Sequence, residues 1–205
     1  MGRVSDARPR LMDAVLELIW SGSYGGTTID QICDKAGVKK GSFYYFFESK
    51  AELAAAAMEE SWQQKQVELD SIFSAVVPPL ERLQKYCDFS YQFQKEIKMK
   101  YGRVLGCPQF SLGAEVCTQE GPLQKKIQEI LDYKRRYLES AIRDAHAAGL
   151  IEAPDASEKA RMILAYYEGA LTQARIQNNV EILRETAKGI FAILGVKRQQ
   201  AMAAT

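Results

Sequence analysis

A stretch in which two short helical patterns are joined by a glycine constrains this chain more than any other feature. Residues 28–53 read TIDQICDKAGVKKGSFYYFFESKAEL. Thr28 can cap the first helix, because Gln31 stands three residues later and each side chain can bond the other's backbone. Gly37 can adopt the left-handed conformation that ends a helix, and a second short helix is predicted over 40–46. Helix, glycine-containing turn and helix form the pattern of a DNA-binding helix-turn-helix.

The second of these helices carries an unusual set of side chains. Phe43 and Phe47 are four residues apart and share a helix face, which we assign to the core. Two lysines at the helix start suit phosphates, because cations and helix N-terminal amides both attract anions. Other surfaces are left for Lys39, Lys40, Ser42, Tyr44 and Tyr45. The alternative is that all of these aromatic residues fill a small core.

At fixed spacing, this segment resembles the TetR/AcrR family of bacterial transcriptional regulators. The resemblance covers roughly residues 8–55 and implies an all-helical homodimer with an N-terminal DNA-binding domain and a larger C-terminal ligand-binding domain. It also implies that a ligand releases the protein from a palindromic DNA operator. The matching positions are Thr28, Ile32, Ala36-Gly37-Val38, Gly41-Ser42-Phe43-Tyr44, Phe47, Lys50 and Leu53.

The resemblance also implies which residues contact DNA. Carried over position by position, they are Thr28, Lys40, Gly41, Ser42, Tyr44, Tyr45 and Lys50, with Thr28, Tyr44 and Lys50 at phosphate-contacting positions. Asp30 departs from the family, because an acid there repels phosphates, although it could accept a hydrogen bond from a cytosine amino group. Phe46 stands where histidine or tyrosine is frequent, which removes one polar contact. Both departures bear on the operator sequence.

Composition sets limits on the class of protein. The chain has 205 residues and a net charge of +1, from 27 basic and 26 acidic side chains, so any binding of DNA must come from a local patch. No apolar run approaches the ~18 residues of a membrane span, and we expect a cytoplasmic protein without a membrane partner. No catalytic motif is present, so we expect no enzyme, no cofactor and no metal site.

The remaining periodic segments predict an all-α protein. We expect a three-helix helix-turn-helix domain over 1–52 and a helical ligand-binding and dimerisation domain over 53–205. The predicted helices run over about 8–20, 49–76, 80–100, 110–117, 122–148, 155–177 and 180–194. The helix that begins near Ser49 starts in the first domain and ends in the second, so we expect it to transmit movement between them. In the helix over 122–148, Lys134 falls on the apolar stripe, and we assign the aliphatic part of its side chain to the core.

Two helices near the C-terminus predict the dimer interface. The helices over about 157–177 and 180–194 are apolar on two faces, so each must cover two surfaces. One surface is the core of the subunit, and a second subunit is the simplest partner for the other. Gly169, Ala170 and Gly189 would permit close approach of helices. The alternative is a helix pair that is fully internal.

An aromatic ligand pocket is expected in the second domain, where tyrosines combine contact area with a hydrogen-bonding tip. Core packing is the alternative for most of these side chains. The candidates are Phe89, Phe93, Tyr101, Cys107, Phe110, Cys117, Tyr133, Tyr137, Tyr166 and Tyr167.

Two of these candidates are cysteines in the segment GCPQFSLGAEVC. The segment is similar to that of thiol-responsive repressors of N-ethylmaleimide reduction in the same family. If the likeness is functional, Cys107 is a thiolate that reacts with electrophiles or oxidants, and Arg103, four residues away, could stabilise it. The alternative is that Cys107 and Cys117 are small buried apolar residues. The sequence thus predicts a ligand-responsive repressor, and its rival is a helical small-molecule-binding protein without operator binding.

Overall fold

The computed structural model describes residues 6–116 and 121–196, and it confirms the predicted all-helical fold for them. No strand occurs in these two ranges. Nor is any helix within them long and apolar enough to cross a membrane. The helices are α1 (Ala7–Ser21), α2 (Ile29–Ala36), α3 (Lys40–Phe46), α4 (Lys50–Ile72), α5 (Pro79–Tyr101), α6 (Pro108–Val116), α7 (Pro122–Ala147), α8 (Ala156–Ile176), a 3-10 helix (Val180–Glu185) and α9 (Thr186–Leu194).

The ends of α2 are set by the local signals that predicted them. The Thr28 hydroxyl accepts a hydrogen bond from the Gln31 backbone N–H at 3.2 Å, and the Gln31 side-chain oxygen accepts one from the Thr28 N–H at 2.8 Å. Gly37 has φ 64°, and the N–H of Val38 donates to the carbonyl of Cys33 at 3.0 Å. The capping box and the left-handed glycine are therefore both confirmed.

Two predicted helices differ from the structure. α4 ends at Ile72 instead of near residue 76, because the buried Arg82 guanidinium binds the carbonyls of Ala75 and Val77 in the following turn. Those carbonyls are thus satisfied outside a helix. The last predicted helix begins with a 3-10 helix, Val180–Glu185, and becomes α-helical only at Thr186.

The described residues pack into two units. The N-terminal unit comprises Met1–Gln64 and Pro108–Ile130, and the C-terminal unit comprises Lys65–Cys107 and Leu131–Thr205. The chain therefore changes unit within α4, between Cys107 and Pro108, and within α7, whereas the predicted division between residues 52 and 53 stays a prediction.

In the N-terminal unit, α1 packs against α2, α3 and α6. Phe43 is fully buried and Phe47 is 3% exposed, so both join the core as predicted, although Phe47 follows the end of α3 in extended conformation. In the C-terminal unit, α8 packs against the 3-10 helix and α9. The buried Arg82 also binds Asp144 at 2.5 Å in that unit, so its charge is compensated.

Candidate nucleic-acid interface and effector site

The outer face of α3 presents aromatic and cationic side chains to solvent. Tyr44 is 55% exposed and Tyr45 is 81% exposed, while Phe43, which α3 turns toward the core, is fully buried. A methyl group added at Gly41 would meet no atom within 4 Å. The rest of the predicted contact set on this helix is also accessible, since Lys39 and Lys40 are exposed and Ser42 is half-buried. The tyrosines therefore do not fill a core.

Lys40 forms an ion pair with a residue of α2. Its ammonium lies 2.7 Å from the Asp30 carboxylate, and the hydrogen bond to Asp30 and its charge raise the pKa of Lys40. Asp30, which departs from the family pattern, therefore holds one of the two lysines at the start of α3. A phosphate that approaches Lys40 must compete with this carboxylate.

Lys50 and Thr28 already bond to the protein. The Lys50 ammonium donates to the carbonyls of Tyr24 and Thr27 at 2.7 Å each and lies 4.1 Å from the centroid of the Tyr24 ring. Burial lowers the pKa of Lys50, and the nearby charge of Glu115 acts against it. Thr28, exposed, uses its hydroxyl in the helix cap. Their contacts with DNA stay predictions.

Glu115 is a functional candidate that sequence reasoning missed. Its carboxylate accepts hydrogen bonds from the backbone N–H groups of Tyr24 at 2.8 Å and Gly25 at 2.6 Å. It thereby ties α6 to the loop that precedes α2, the same loop that Lys50 holds. No sequence signal joins these partners, because Glu115 and Gly25 are 90 residues apart along the chain.

A buried ionic cluster lies in the C-terminal unit around Cys107. The Lys134 ammonium is 3.1 Å from the sulfur of Cys107 and 3.3 Å from Oε1 of Glu168. Cys107 is 7% exposed and Glu168 is 1% exposed. Within the described residues, the second carboxylate oxygen of Glu168 has no hydrogen-bond partner. Glu168, which carried no sequence signal, adds an acceptor at this site.

The electrostatics of the cluster favour a charged Lys134. Burial acts to lower the pKa of Lys134, but the charges of Cys107 and Glu168 outweigh it and raise the pKa. An ammonium that keeps its proton so close to sulfur favours the thiolate over the thiol. Arg103, the predicted cation, is exposed, so Lys134 takes the place expected for it.

The backbone beside Cys107 is fixed in place. The buried Gln94 amide donates to the carbonyl of Gly106 and accepts from its N–H, both at 3.0 Å. Gly106 has φ 68°, and a methyl group there would lie 3.3 Å from the carbonyl oxygen of Leu171. These contacts fix the backbone from which the Cys107 side chain extends toward Lys134.

The other predicted pocket residues are distributed between the two units. Tyr167 is buried and its ring lies 4.7 Å from that of Tyr86, while the rings of Phe89 and Phe93 stack at 6.3 Å. Phe110 belongs to the N-terminal unit, and the other described candidates belong to the C-terminal unit. Exposed candidates are Phe110, Tyr133 and Tyr166; half-buried ones are Phe89, Phe93, Tyr101 and Tyr137. Cys117 lies outside the described residues.

A helix-turn-helix with an exposed second helix defines a DNA-binding regulator, and comparison with known families agrees. Residues 11–57 match the family model "Bacterial regulatory proteins, tetR family". Residues 79–190 match "Tetracyclin repressor-like, C-terminal domain". The chain belongs to the TetR family of transcriptional regulators, which confirms the resemblance drawn from the sequence. Proteins of this family are generally not enzymes; they bind DNA operators and a small-molecule ligand and form dimers.

Several relatives align over most of the chain. The transcriptional regulator AcuR of Cereibacter sphaeroides is 29% identical over 83% of this chain and 77% of its own length. The transcriptional repressor NemR of Escherichia coli strain K12 is 26% identical over 92% of this chain and 94% of its own. A crystal structure of a regulatory protein TetR from Rhodobacter sphaeroides superposes with a TM-score of 0.80 at 26% identity, over 92% of this chain and 99% of that one.

Proposed function

We propose that this chain is a repressor that binds a palindromic operator as a homodimer and is released by a small electrophile. The exposed face of α3 is the observation that carries the proposal. Tyr44 and Tyr45 leave large apolar surfaces in solvent beside two lysines, an arrangement that suits base edges flanked by phosphates. In this arrangement α3 enters the major groove, and Lys39 and Lys40 meet the backbone. Footprinting on DNA upstream of the protein's own gene tests this proposal.

The proposed effector reacts at Cys107. Support comes from the Lys134 ammonium at 3.1 Å, which favours the nucleophilic thiolate. The sulfur would add to an electron-poor carbon–carbon double bond of the effector, whose π bond breaks, and the resulting carbanion would take up a proton from water. One of the two negative charges beside Lys134 would thereby be lost, while that of Glu168 remains. The second oxygen of Glu168 could accept a hydrogen bond from a donor on the bound molecule.

Two helices could transmit the reaction at Cys107 to α3. The first is α4, which runs from Lys50 into the C-terminal unit. The second is α6, which begins at Pro108, the residue after Cys107, and whose Glu115 holds the backbone of Tyr24 and Gly25. Movement of either helix would shift the loop before α2 and the position of α3. A coupling of ~1–3 kcal/mol suffices to release an operator.

The proposed dimer forms through α8 and α9. An exposed stripe on α8 contains Met162 at 47%, Tyr166 at 37% and Ile176 at 76% exposure. A methyl group added at Gly169, on the same helix, would meet no atom within 4 Å. The ring of Tyr166 lies against Gly189, so Gly189 serves packing within the subunit. Gly169 therefore remains the site of close approach by a second subunit.

We expect Gly169→Arg to leave the subunit folded, because the side chain has room within the subunit. We expect it to weaken the dimer by at least about tenfold, because the side chain would stand in the proposed interface. Sedimentation equilibrium measures the dimer dissociation constant, and circular dichroism checks the fold. Gly121→Arg is the matched control, since Gly121 also has open space around it and lies outside α8 and α9. Equal dimerisation of the two variants would contradict the proposed interface.

A further inference from the structure

The Glu168 carboxylate has one buried oxygen that no donor satisfies. The residue is 1% exposed, and its Oε1 lies 3.3 Å from the Lys134 ammonium. Across residues 6–116 and 121–196, its Oε2 has no hydrogen-bond partner. A carboxylate oxygen that is withdrawn from water without a donor costs free energy, so buried polar groups in native proteins are nearly always paired. A donor on a bound molecule would supply the missing hydrogen bond.

Two buried tyrosines near this carboxylate use their hydroxyl groups elsewhere. Burial raises the pKa of both Tyr86 and Tyr167, and the charge of Glu168 adds to the rise, so both hydroxyls keep their protons. Tyr86 forms a side-chain hydrogen bond with Tyr167, and Tyr167 forms another with Ser90. The polar groups of these side chains are therefore satisfied within the protein.

Lys134 brings the unsatisfied carboxylate and the Cys107 sulfur to one place. Its ammonium lies 3.1 Å from the sulfur and also binds the Glu168 carboxylate. Cys107, Lys134 and Glu168 all belong to the C-terminal unit. Because the sulfur and the carboxylate contact the same nitrogen, a molecule of a few heavy atoms can reach both.

We propose that Glu168 is a specificity-determining residue that favours α,β-unsaturated amides with an N–H group as the electrophiles that react at Cys107. This inference rests on the proposed reaction at Cys107. The sulfur forms a bond to the terminal carbon of the double bond, the π bond breaks, and the carbon next to the carbonyl takes up a proton from water. Meanwhile the amide N–H donates a hydrogen bond to Oε2 of Glu168. An electrophile without this donor, such as N-ethylmaleimide, reacts without that assistance.

The test compares N-methylacrylamide with methyl acrylate, which have nearly the same shape but carry an N–H group and an oxygen at the same position. Peptide mass spectrometry of the full chain measures the rate at which each reagent alkylates Cys107. Each rate is divided by the rate at the same residue in the urea-unfolded chain, which removes the intrinsic reactivity of the reagent. We expect the normalised rate for the amide to exceed that for the ester by at least about tenfold, because a site built for a donor rejects an analogue that lacks it. Equal normalised rates, or a faster ester, would overturn the proposal.

Glu168→Gln and Glu139→Gln are a matched pair of variants. Glu168→Gln should reduce the preference for the amide at least several-fold, because a neutral side-chain amide is a weaker acceptor and can donate its own N–H groups to the ester. Glu139→Gln should keep the preference, since this half-buried carboxylate pairs with Arg135 and Arg143 instead. Equal preferences in the two variants would overturn the assignment to Glu168.

Saturated analogues separate this inference from the reaction itself. If Cys107 is inert toward both reagents, the proposed reaction fails, and the binding of N-methylpropanamide and methyl propanoate decides the role of Glu168. Ligand-observed NMR titrations of the full chain measure both affinities. Binding of the amide at least about tenfold tighter than the ester, with the difference lost in Glu168→Gln, would keep Glu168 as a donor-recognising residue. Equal binding of the two compounds would exclude that role.

Discussion

Replacing Cys107 with serine is expected to abolish release of the operator by N-ethylmaleimide. In the unmodified chain, alkylation of the sulfur removes one of the two negative charges beside Lys134, whose ammonium is 3.1 Å away, and adds bulk at a residue that is 7% exposed. A coupling of ~1–3 kcal/mol corresponds to a loss of about 5–150-fold in operator affinity. The serine variant should bind DNA normally and show no such loss. Fluorescence anisotropy with labelled operator measures both affinities.

The other described cysteines provide the controls. Burial, assisted by Asp88, raises the pKa of Cys87, so its thiol stays protonated and unreactive at neutral pH. Burial also raises the pKa of Cys33, with Asp30 and Asp34 adding to the shift. Cys87→Ser should therefore respond to N-ethylmaleimide as the unmodified chain does. An unchanged response in Cys107→Ser would exclude Cys107 as the sensor, and a lost response in Cys87→Ser would show that Cys107 does not act alone.

Truncation of the exposed face of α3 is expected to have the second large effect. Tyr45→Ala removes a ring that is 81% exposed, so the free energy of unfolding should change by less than about 0.5 kcal/mol. Loss of its contacts in both copies of α3 should weaken operator binding by at least about tenfold. Tyr133→Ala is the matched control, because this tyrosine is also exposed, at 42%, and lies in the C-terminal unit. Anisotropy titrations and thermal denaturation separate the two effects.

Lys40→Ala should also change the salt dependence of operator binding, which Tyr45→Ala does not test. Loss of a phosphate contact should reduce the slope of log affinity against log salt by about 1 for each protomer, with similar weakening on all DNA sequences. Because Lys40 also pairs with Asp30, Asp30→Asn should strengthen binding by freeing the ammonium for phosphate. Unchanged affinity in both Tyr45→Ala and Lys40→Ala would place the DNA contact elsewhere. Absence of measurable DNA binding by the unmodified chain would favour a ligand-binding protein without operator binding.

Local signals predicted the helix-turn-helix well, because the residues that decide it are close in sequence. The cap of α2 depends on Thr28 and Gln31, and its end depends on Gly37, all within ten residues. The burial of Phe43 likewise follows from its helical spacing, with core on one side of α3. The lysine at 134 left a visible signal as a cation on an apolar stripe, although its partners could not be identified from that pattern.

The contacts of the candidate effector site and of the loop before α2 were less predictable, because the residues that form them are distant along the chain. Glu168 meets Lys134 from 34 residues away, and Glu115 meets Tyr24 from 91 residues away. Periodicity assigns a residue to a face but does not say which helix lies opposite. Local spacing therefore suggested Arg103 as the cation near Cys107, whereas tertiary packing supplies Lys134.

Hydroxyl-radical footprinting on the DNA upstream of the protein's own gene tests the central claim most directly. Two copies of α3, related by a twofold axis, should protect two segments of an inverted repeat, with centres about one helical turn, ~34 Å, or slightly more apart. Both segments should lose protection together in Tyr45→Ala and after N-ethylmaleimide treatment of the unmodified chain. Absence of protection across that region, or protection of a single segment by a monomer, would contradict the account.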